Sequence, residues 1–382
     1  MSFELTREQR DLQERSRQAI VDVVAPVAAQ VAPGAKLDST QMKTIYKGLA
    51  PLGLLGSTIS KDLGGAGMSY VDYGLMLKEL AKGPVIMTEV VAPRAIAHLG
   101  TPDQKRRWLP KLLSGDLICC GAVTEPQAGS DLRNLQMTAL PQGEHLIVNG
   151  RKRWIHLAAN GDLVNVVAVT DPSKGGHGGT GRLIIERDQS PWTTVEIDCV
   201  GMTNLSLGEL RFDDVRVPKE NLLNPGADGT KAFKGAIESS RAWIGLVATG
   251  IAEAAIDKAR LYCQERHAFG RPLARFQAVQ LALADAAAKI EAASLLALRA
   301  LWEIDQGGGS SRSMSMAKFV ATEAAVSACS AAMSCMGAYG LSVEAGVERH
   351  WRDAKMLTVM DGASDIQRLI VGRELLGTQA FV

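Results

Sequence analysis

The sequence predicts an α+β protein in three parts: an N-terminal all-α domain (residues 1–116), a middle β-barrel or β-sandwich domain (117–226) and a C-terminal four-helix bundle (227–382). Apolar residues recur at helical spacing in the first and last parts, whereas the middle part consists of short, alternating or β-branched runs. A chain of 382 residues is also long enough to bury a large core in two or three packing units.

The N-terminal part has the pattern of several helices separated by Gly and Pro. Leu5, Leu12, Ile20 and Val24 predict an amphipathic first helix that ends near Pro26. Further helices are predicted over 41–52, 70–82, 85–99 and 102–113.

Seven short strands are predicted in the middle part, because turn residues separate its runs. They cover 117–124, 135–140, 145–155, 163–170, 182–187, 192–199 and 207–217. Pro218 is expected to block further strand pairing, since proline has no N–H to donate.

A formal GxGxxG match occurs at Gly176, Gly178 and Gly181. A dinucleotide site needs a strand before this motif and a helix after it. Here Asp171-Pro172 precedes the glycines and a strand follows them, so the pattern predicts a hairpin loop.

Long Ala-rich helices are predicted over 228–264, 272–304, 313–336 and 343–359, with lengths typical of an up-down bundle. Asp361-Gly362 then predicts a turn, because Gly accepts positive φ and Asp can hydrogen-bond its own backbone. Ser364 and Gln367 predict a capping box for a last helix. Asp361 is therefore expected on a short loop between two helices, as an ordinary turn residue or as a general base.

The composition excludes several classes of function. The net charge is +1, from 42 basic and 41 acidic side chains, which argues against nucleic acid or an anionic membrane as a partner. The charged N-terminus is unlike a signal peptide, and no run of about 18 uncharged apolar residues predicts a membrane span. Six cysteines without zinc-like spacing are expected to be reduced core residues of a cytoplasmic protein, with no metal site. Cys119 and Cys120 are expected to face opposite sides of a strand.

Two further segments have the residues of a ligand site. In VTEPQAGSD (123–131), small residues and hydroxyls leave backbone N–H groups open to a polar ring edge, although an ordinary exit from a strand has the same composition. In RHAFGRP (266–272), Arg266 could bind a pyrophosphate bidentately and Phe269 could pack on a planar group. The alternative for this second segment is a capped turn between helices with a solvated arginine.

Three segments together resemble the acyl-CoA dehydrogenase family. They are VTEPQAGSD, then RHAFGRP with the following FQAVQ, and finally RDAK with a downstream acidic residue, Gly and IQRLIVGREL. The resemblance covers nearly the whole chain and implies FAD as the cofactor and an acyl-CoA, or an acyl-carrier thioester, as the substrate. It also implies that Asp361 abstracts the substrate α-proton and that an electron-transfer flavoprotein accepts the electrons.

The resemblance also implies which residues contact the ligands. Trp154 and His156 match a flavin-side motif in which the family usually has Thr at the position of His156. Arg266, Phe269 and Gln277 match a segment that reaches the FAD of a neighbouring subunit, which implies a homodimer or homotetramer. The implied cofactor contacts are Val123, Thr124, Gly129, Ser130, Trp154, His156, Arg266, Phe269, Gln277, Gly337, Ala363 and Asp365, and the implied substrate contacts are Ser130, Arg241 and Gly362.

Asp361 is the main departure from the family pattern, which has Glu. The missing methylene withdraws the carboxylate by on the order of 1 Å, and such a displacement can cost about 10²-fold in rate. A cyclic or branched acyl group, or 1,4-elimination, would compensate. An enoyl-thioester reductase and a flavin-free acyl-binding homologue are the alternative functions, the latter suggested by His156, Ala363 and Asp365.

Overall fold

The computed structural model describes residues 4–174, 178–226 and 228–380, and side chains outside 231–237. Gly176 of the formal GxGxxG match therefore lies outside the described residues. The flanking strands β4 (Leu163–Val169) and β5 (Thr180–Glu186) pair antiparallel, as expected of a hairpin.

The N-terminal part is helical, with two differences from the predicted bounds. The first helix continues through a π-helical turn, Ile20–Val24, and past Pro26, because Pro26 occupies an early position of the next helical segment, where no N–H is needed. The predicted helix over 85–99 begins only at Val91. The α-helices of the N-terminal part are α1 (Arg7–Ala19), α2 (Ala25–Ala28), α3 (Ser39–Leu49), α4 (Tyr70–Leu80), α5 (Val91–Leu99) and α6 (Pro102–Ser114).

The run before α5 is apolar because it is buried, and not because it is helical. Val85, Ile86 and Met87 are each no more than 3% exposed, although the chain there has no regular secondary structure. This irregular segment carries Glu89 into the interior.

The middle part is one eight-stranded sheet in the order β6-β7-β3-β2-β4-β5-β8, with β1 paired to β4. The expectation that Pro218 blocks further strand pairing is wrong. Pro218 itself pairs with His145 on β3, and the two-residue strand β8 that follows pairs with β5. Cys119 and Cys120 on β1 pack into different apolar clusters, as predicted. The remaining strands are β1 (Cys119–Ala122), β2 (Thr138–Gln142), β3 (His145–His156), β6 (Thr193–Glu196), β7 (Leu207–Pro218) and β8 (Leu222–Leu223).

The C-terminal part is a helical bundle centred on α9, which packs against α7, α8, α10 and α11. A short hairpin of β9 (His267–Ala268) and β10 (Arg271–Pro272) follows α7, so α8 begins five residues later than predicted. By length and composition alone, Ser311–Leu341 could cross a membrane, but core helices of water-soluble proteins also meet that criterion. The helices are α7 (Gly229–Glu265), α8 (Gln277–Asp305), α9 (Ser311–Met336), α10 (Glu348–Leu357) and α11 (Ser364–Leu376).

Helix α10 is tied to the middle sheet domain. The Asp353 carboxylate accepts a hydrogen bond from the backbone N–H of Met202 at 2.5 Å, and Arg352 donates to the Val200 carbonyl at 3.0 Å. A Cβ atom at Gly201 would lie only 2.3 Å from the Arg352 carbonyl oxygen, so only glycine fits this approach. The helix that leads into the Asp361 loop is therefore fixed to the domain that carries residues 123–130.

Candidate active site

Asp361 lies on a tight loop between α10 and α11, as predicted. Its φ is +53°, and that of Gly362 is +96°. The loop is stabilised by Lys318, whose ammonium donates hydrogen bonds to the backbone carbonyls of Thr358 and Gly362 at 3.0 and 2.9 Å. Since the Lys318 side chain is buried on α9, the central helix of the bundle fixes the position of the acid.

The predicted capping box at Ser364 is wrong. Ala363 is the N-cap of α11, and none of the described side chains caps this helix. The Gln367 amide instead donates to the carbonyls of Asp361 and Gly362, at 3.4 and 3.1 Å, and would clash with a Cβ at Gly362. The glutamine stabilises the turn before the helix instead of the first helical N–H groups.

The Asp361 carboxylate is half-buried and surrounded by donors and cations. Desolvation raises its pKa above the usual value, while a short hydrogen bond from Ser240 and the charges of Lys318 and Arg241 lower it. The net direction is upward, towards the range in which a general base operates. The implied substrate contacts Arg241 and Gly362 thus lie in the same site as Asp361.

The segment 123–130 leaves β1 in a tight turn. Glu125 and Ala128 exchange backbone hydrogen bonds of 2.9 and 3.1 Å, and the Thr124 carbonyl accepts from the N–H of Arg153 at 2.8 Å. Lys152, fully buried on β3, donates to the Val123 carbonyl at 2.7 Å and to the Glu125 carboxylate at 2.8 Å. This buried network positions the turn, so that Gly129 and Ser130 are exposed at its end.

The end of β3 brings Trp154 and His156 next to this turn. Trp154 is 51% exposed with φ +62°. Burial lowers the pKa of His156 to about 4, so its imidazole is neutral at pH 7. The His156 Nε2 atom is buried and, among the described residues, has no hydrogen-bond partner.

The third predicted segment forms the short β9–β10 hairpin, and its predicted ligand-binding side chains are exposed. Phe269, at φ +51°, is 95% exposed and touches Phe276 edge-on with 6.2 Å between ring centroids. Arg266 and Gln277 are exposed as well. Across the described residues, no hydrogen bond or ion pair connects this segment to the Asp361 loop or to the 123–130 turn.

Profiles of the acyl-CoA dehydrogenase N-terminal, middle and C-terminal domains match residues 6–116, 120–215 and 227–376. A probable acyl-CoA dehydrogenase, YngJ of Bacillus subtilis (strain 168), is 35% identical over 98% of this chain and 100% of its own length. The chain belongs to the acyl-CoA dehydrogenase family. It is therefore an FAD-dependent oxidoreductase, and the predicted three-part fold class is confirmed.

Other members of the family share the whole fold. Butyryl-CoA dehydrogenase of Megasphaera elsdenii has a TM-score of 0.90 at 31% identity, covering 98% of this chain and 100% of its own. A Mycobacterium smegmatis glutaryl-CoA dehydrogenase in complex with FADH2 has a TM-score of 0.90 at 27% identity, covering 99% and 97%. Acryloyl-CoA reductase (NADH) of Anaerotignum propionicum is 32% identical over 98% of this chain and 96% of its own length.

The polar atoms and open surfaces of this acyl-CoA dehydrogenase fit a flavin. The His156 Nε2 atom, unpartnered among the described residues, suits a polar ring edge. No atom of the described residues lies within 4 Å of a Cβ built at Gly121 or Gly129, which leaves space for a flat ring. Space is also open at Gly337, at the end of α9. A groove of about 690 Å³ between α9, α10 and α11 passes Ala363 and Asp365.

Sequence reasoning missed four residues around the acid: Glu89, Ser240, Arg94 and Lys318. Glu89 is only 9% exposed and lies with its carboxylate 2.9 Å from an Arg94 nitrogen. The available signal was one acidic residue inside the apolar run VIMTEVVAP and one lysine inside the Ala-rich α9. Charges in such surroundings are rarely buried unless they are paired or functional.

Proposed function

We propose that this enzyme removes the α-proton and a β-hydride from an acyl-CoA thioester, giving the 2-enoyl thioester, with Asp361 as the base. The observation that carries the proposal is the Asp361 carboxylate itself, which is half-buried, raised in pKa and fixed by Ser240 on a loop that Lys318 stabilises. A solvated turn aspartate would have neither the burial nor the supporting contacts.

The residues around Asp361 also polarise the thioester in this proposal. Among the described residues, the backbone N–H of Asp361 donates to no acceptor, so it is available to the substrate carbonyl as enolate charge develops. Arg241, whose buried Nε has no partner in the described part of the chain, adds positive charge on the same side. FAD, when bound, supplies the acceptor for the hydride.

The cofactor contacts divide between two subunits in our proposal. Val123, Thr124, Gly129, Ser130, Trp154 and His156 hold the ring within one chain, with Ala363 and Asp365 beside it, whereas Gly337 lies near the adenylate part of the cofactor. Arg266, Phe269 and Gln277 hold the FAD of a neighbouring subunit, since Phe269 is 95% exposed in the single chain. We therefore propose a cytoplasmic homodimer or homotetramer, with an electron-transfer flavoprotein as the acceptor.

The acyl group is proposed to be cyclic or branched, or one that undergoes 1,4-elimination, because aspartate reaches on the order of 1 Å less far than glutamate. The test is a panel of straight, branched and cyclic acyl-CoA thioesters, and acyl-carrier thioesters, scored by anaerobic bleaching of the flavin. Bleaching by cyclic or branched thioesters supports the proposal, and bleaching by none of the panel contradicts it. Asp361→Glu should gain activity on straight chains, and an unchanged profile would count against the argument from reach.

The second candidate is an enoyl-thioester reductase, which the similarity to acryloyl-CoA reductase (NADH) favours. Reduction would need Asp361 to donate the α-proton instead of removing it. Flavin that is reduced by NADH and reoxidised by an enoyl-CoA would identify the reductase. The third alternative, a flavin-free acyl-binding homologue, predicts a colourless protein, whereas membership of an FAD-dependent family favours a yellow one.

A further inference from the structure

We propose that the ring of Tyr339 is a stacking platform for the adenine base of FAD, next to the segment that carries Arg266 and Phe269. The inference deepens the proposed function and rests on the part of it that assigns Arg266 and Phe269 to the FAD of a neighbouring subunit. It adds the side chain that recognises the base.

Tyr339 is an exposed aromatic residue that a second ring supports from behind. The residue is 37% exposed, and its ring stacks on that of Tyr262 with 5.2 Å between the centroids and 19° between the planes. Tyr262 is half-buried near the end of α7. The stack covers one face of the Tyr339 ring and leaves the other face without an aromatic partner among the described side chains. Stacked rings attract each other, so this face favours a third flat ring.

The backbone of Tyr339 is already fixed by contacts within the chain. Its carbonyl accepts hydrogen bonds from the N–H and from the hydroxyl of Ser342, at 3.0 and 2.8 Å. A Cβ atom at Gly340 would lie only 2.3 Å from the Met333 carbonyl oxygen, so the loop packs closely against α9. A ring positioned in this way loses little conformational freedom when a ligand binds, and less binding energy is spent on ordering it.

The loop also leaves open space two residues before Tyr339. No atom of the described residues lies within 4 Å of a Cβ built at Gly337. The φ of Gly337 is +61°, in the left-handed region that favours glycine, so the chain turns here without a side chain. A planar group can therefore approach the loop beside Tyr339 without meeting a side chain at position 337.

The platform lies one helical turn from the arginine that is proposed to bind pyrophosphate. The N–H of Arg266 donates to the Tyr262 carbonyl at 2.8 Å, which is the hydrogen bond of a helical turn. Residues four apart on a helix are neighbours on its surface, with Cβ atoms about 5–6 Å apart. In FAD a single ribose joins the adenine to the pyrophosphate, and its length is comparable to one turn of about 5.4 Å. Arg266 and Tyr339 can therefore contact adjacent parts of one FAD molecule.

The first test measures how strongly the holoenzyme prefers FAD to FMN, which has the same ring system and ribityl chain but no adenosine. FAD-loaded enzyme is incubated with a series of FMN concentrations, and the bound FAD and FMN are quantified by chromatography. Tyr339→Ala should lower the preference for FAD by about 10-fold, the effect of losing one base–aromatic stack, and Tyr339→Phe should keep it. Leu341→Ala truncates a 69% exposed side chain of the same loop and, as the control, should also keep the wild-type preference.

Three outcomes of this test overturn the proposal. The first is a Tyr339→Ala enzyme that retains FAD against FMN as well as the wild type does. The second is an equal loss of preference in Leu341→Ala. The third is a loss of FAD and FMN alike with dissociation into monomers, seen by light scattering, because the ring would then serve a contact between subunits.

The second test locates the base directly. Enzyme loaded with FAD that carries an 8-azidoadenine base is photolysed, and the labelled peptides are identified by mass spectrometry. The label should be on the peptide that contains Tyr339, and a label found only on other peptides contradicts the proposal. Failure of the proposed function looks different, because no thioester would then bleach the flavin, whereas neither of these tests needs a substrate.

Discussion

Two segments of this enzyme both have a left-handed residue before a left-handed glycine, but their surroundings differ. Asp361-Gly362 and Phe269-Gly270 each place a non-glycine residue in the left-handed region, at φ +53° and +51°, before a glycine that is also left-handed. The first is held by Lys318 and Gln367, whereas the Phe269 side chain is 95% exposed. The difference teaches that the acid is positioned by its own chain, whereas the exposed Phe269 side chain is free to make the contact with a neighbouring subunit that we propose.

The largest expected effect is at the acid. Asp361→Asn removes the base but keeps the size and the carbonyl oxygen that Ser240 bonds. Flavin reduction by a good substrate should slow by about 10²–10⁴-fold, the usual contribution of a general base. Anaerobic stopped-flow absorbance measures it, with flavin content as the control for folding. A rate within a few-fold of the wild type would show that Asp361 is a turn residue.

Phe269→Ala should have the next largest effect, but on binding and not on the chemistry. Loss of an aromatic anchor at an interface costs about 2 kcal/mol, or on the order of 30-fold in FAD affinity. The flavin-to-protein ratio and light scattering measure it, and the circular dichroism spectrum should not change. Val21→Ala, which truncates a 62% exposed side chain in the N-terminal domain, is the control. Equal flavin content in the two variants would mean that the exposed segment needs no partner.

Lys318→Met should have the smallest of the three effects. The Lys318 cation lowers the pKa of Asp361, so without it the carboxyl keeps its proton to higher pH. The acid limb of the kcat/KM profile should therefore move upwards by on the order of one pH unit. Lys111→Met removes the same charge at an exposed site in α6 and should leave the limb in place. A downward shift of the limb, or no shift, would mean that Lys318 stabilises the loop through its hydrogen bonds without lowering the pKa of Asp361.

Sequence reasoning found the parts of the site that are local in the chain. The Asp361-Gly362 turn was predicted from two residues, because positive φ at glycine is a local property. Glu89 and Lys318 were missed, because their roles depend on contacts between segments far apart in sequence. The start of the helix predicted over 85–99 was placed too early for a related reason, since burial of 85–87 in the core produced an apolar pattern that resembles a helix. The Phe269 segment lies apart from the acid in the folded chain. This separation also depends on tertiary structure, which the local sequence pattern does not give.

The hydrogen bond between the Met202 N–H and the Asp353 carboxylate determines which part of the enzyme is lost first on unfolding. Because α10 carries Asp353 and leads directly to the acid, separating the sheet domain from the bundle breaks this tether and misaligns the two halves of the site together. Heat or denaturant that loosens this contact should therefore stop turnover while the helices of the bundle are still intact.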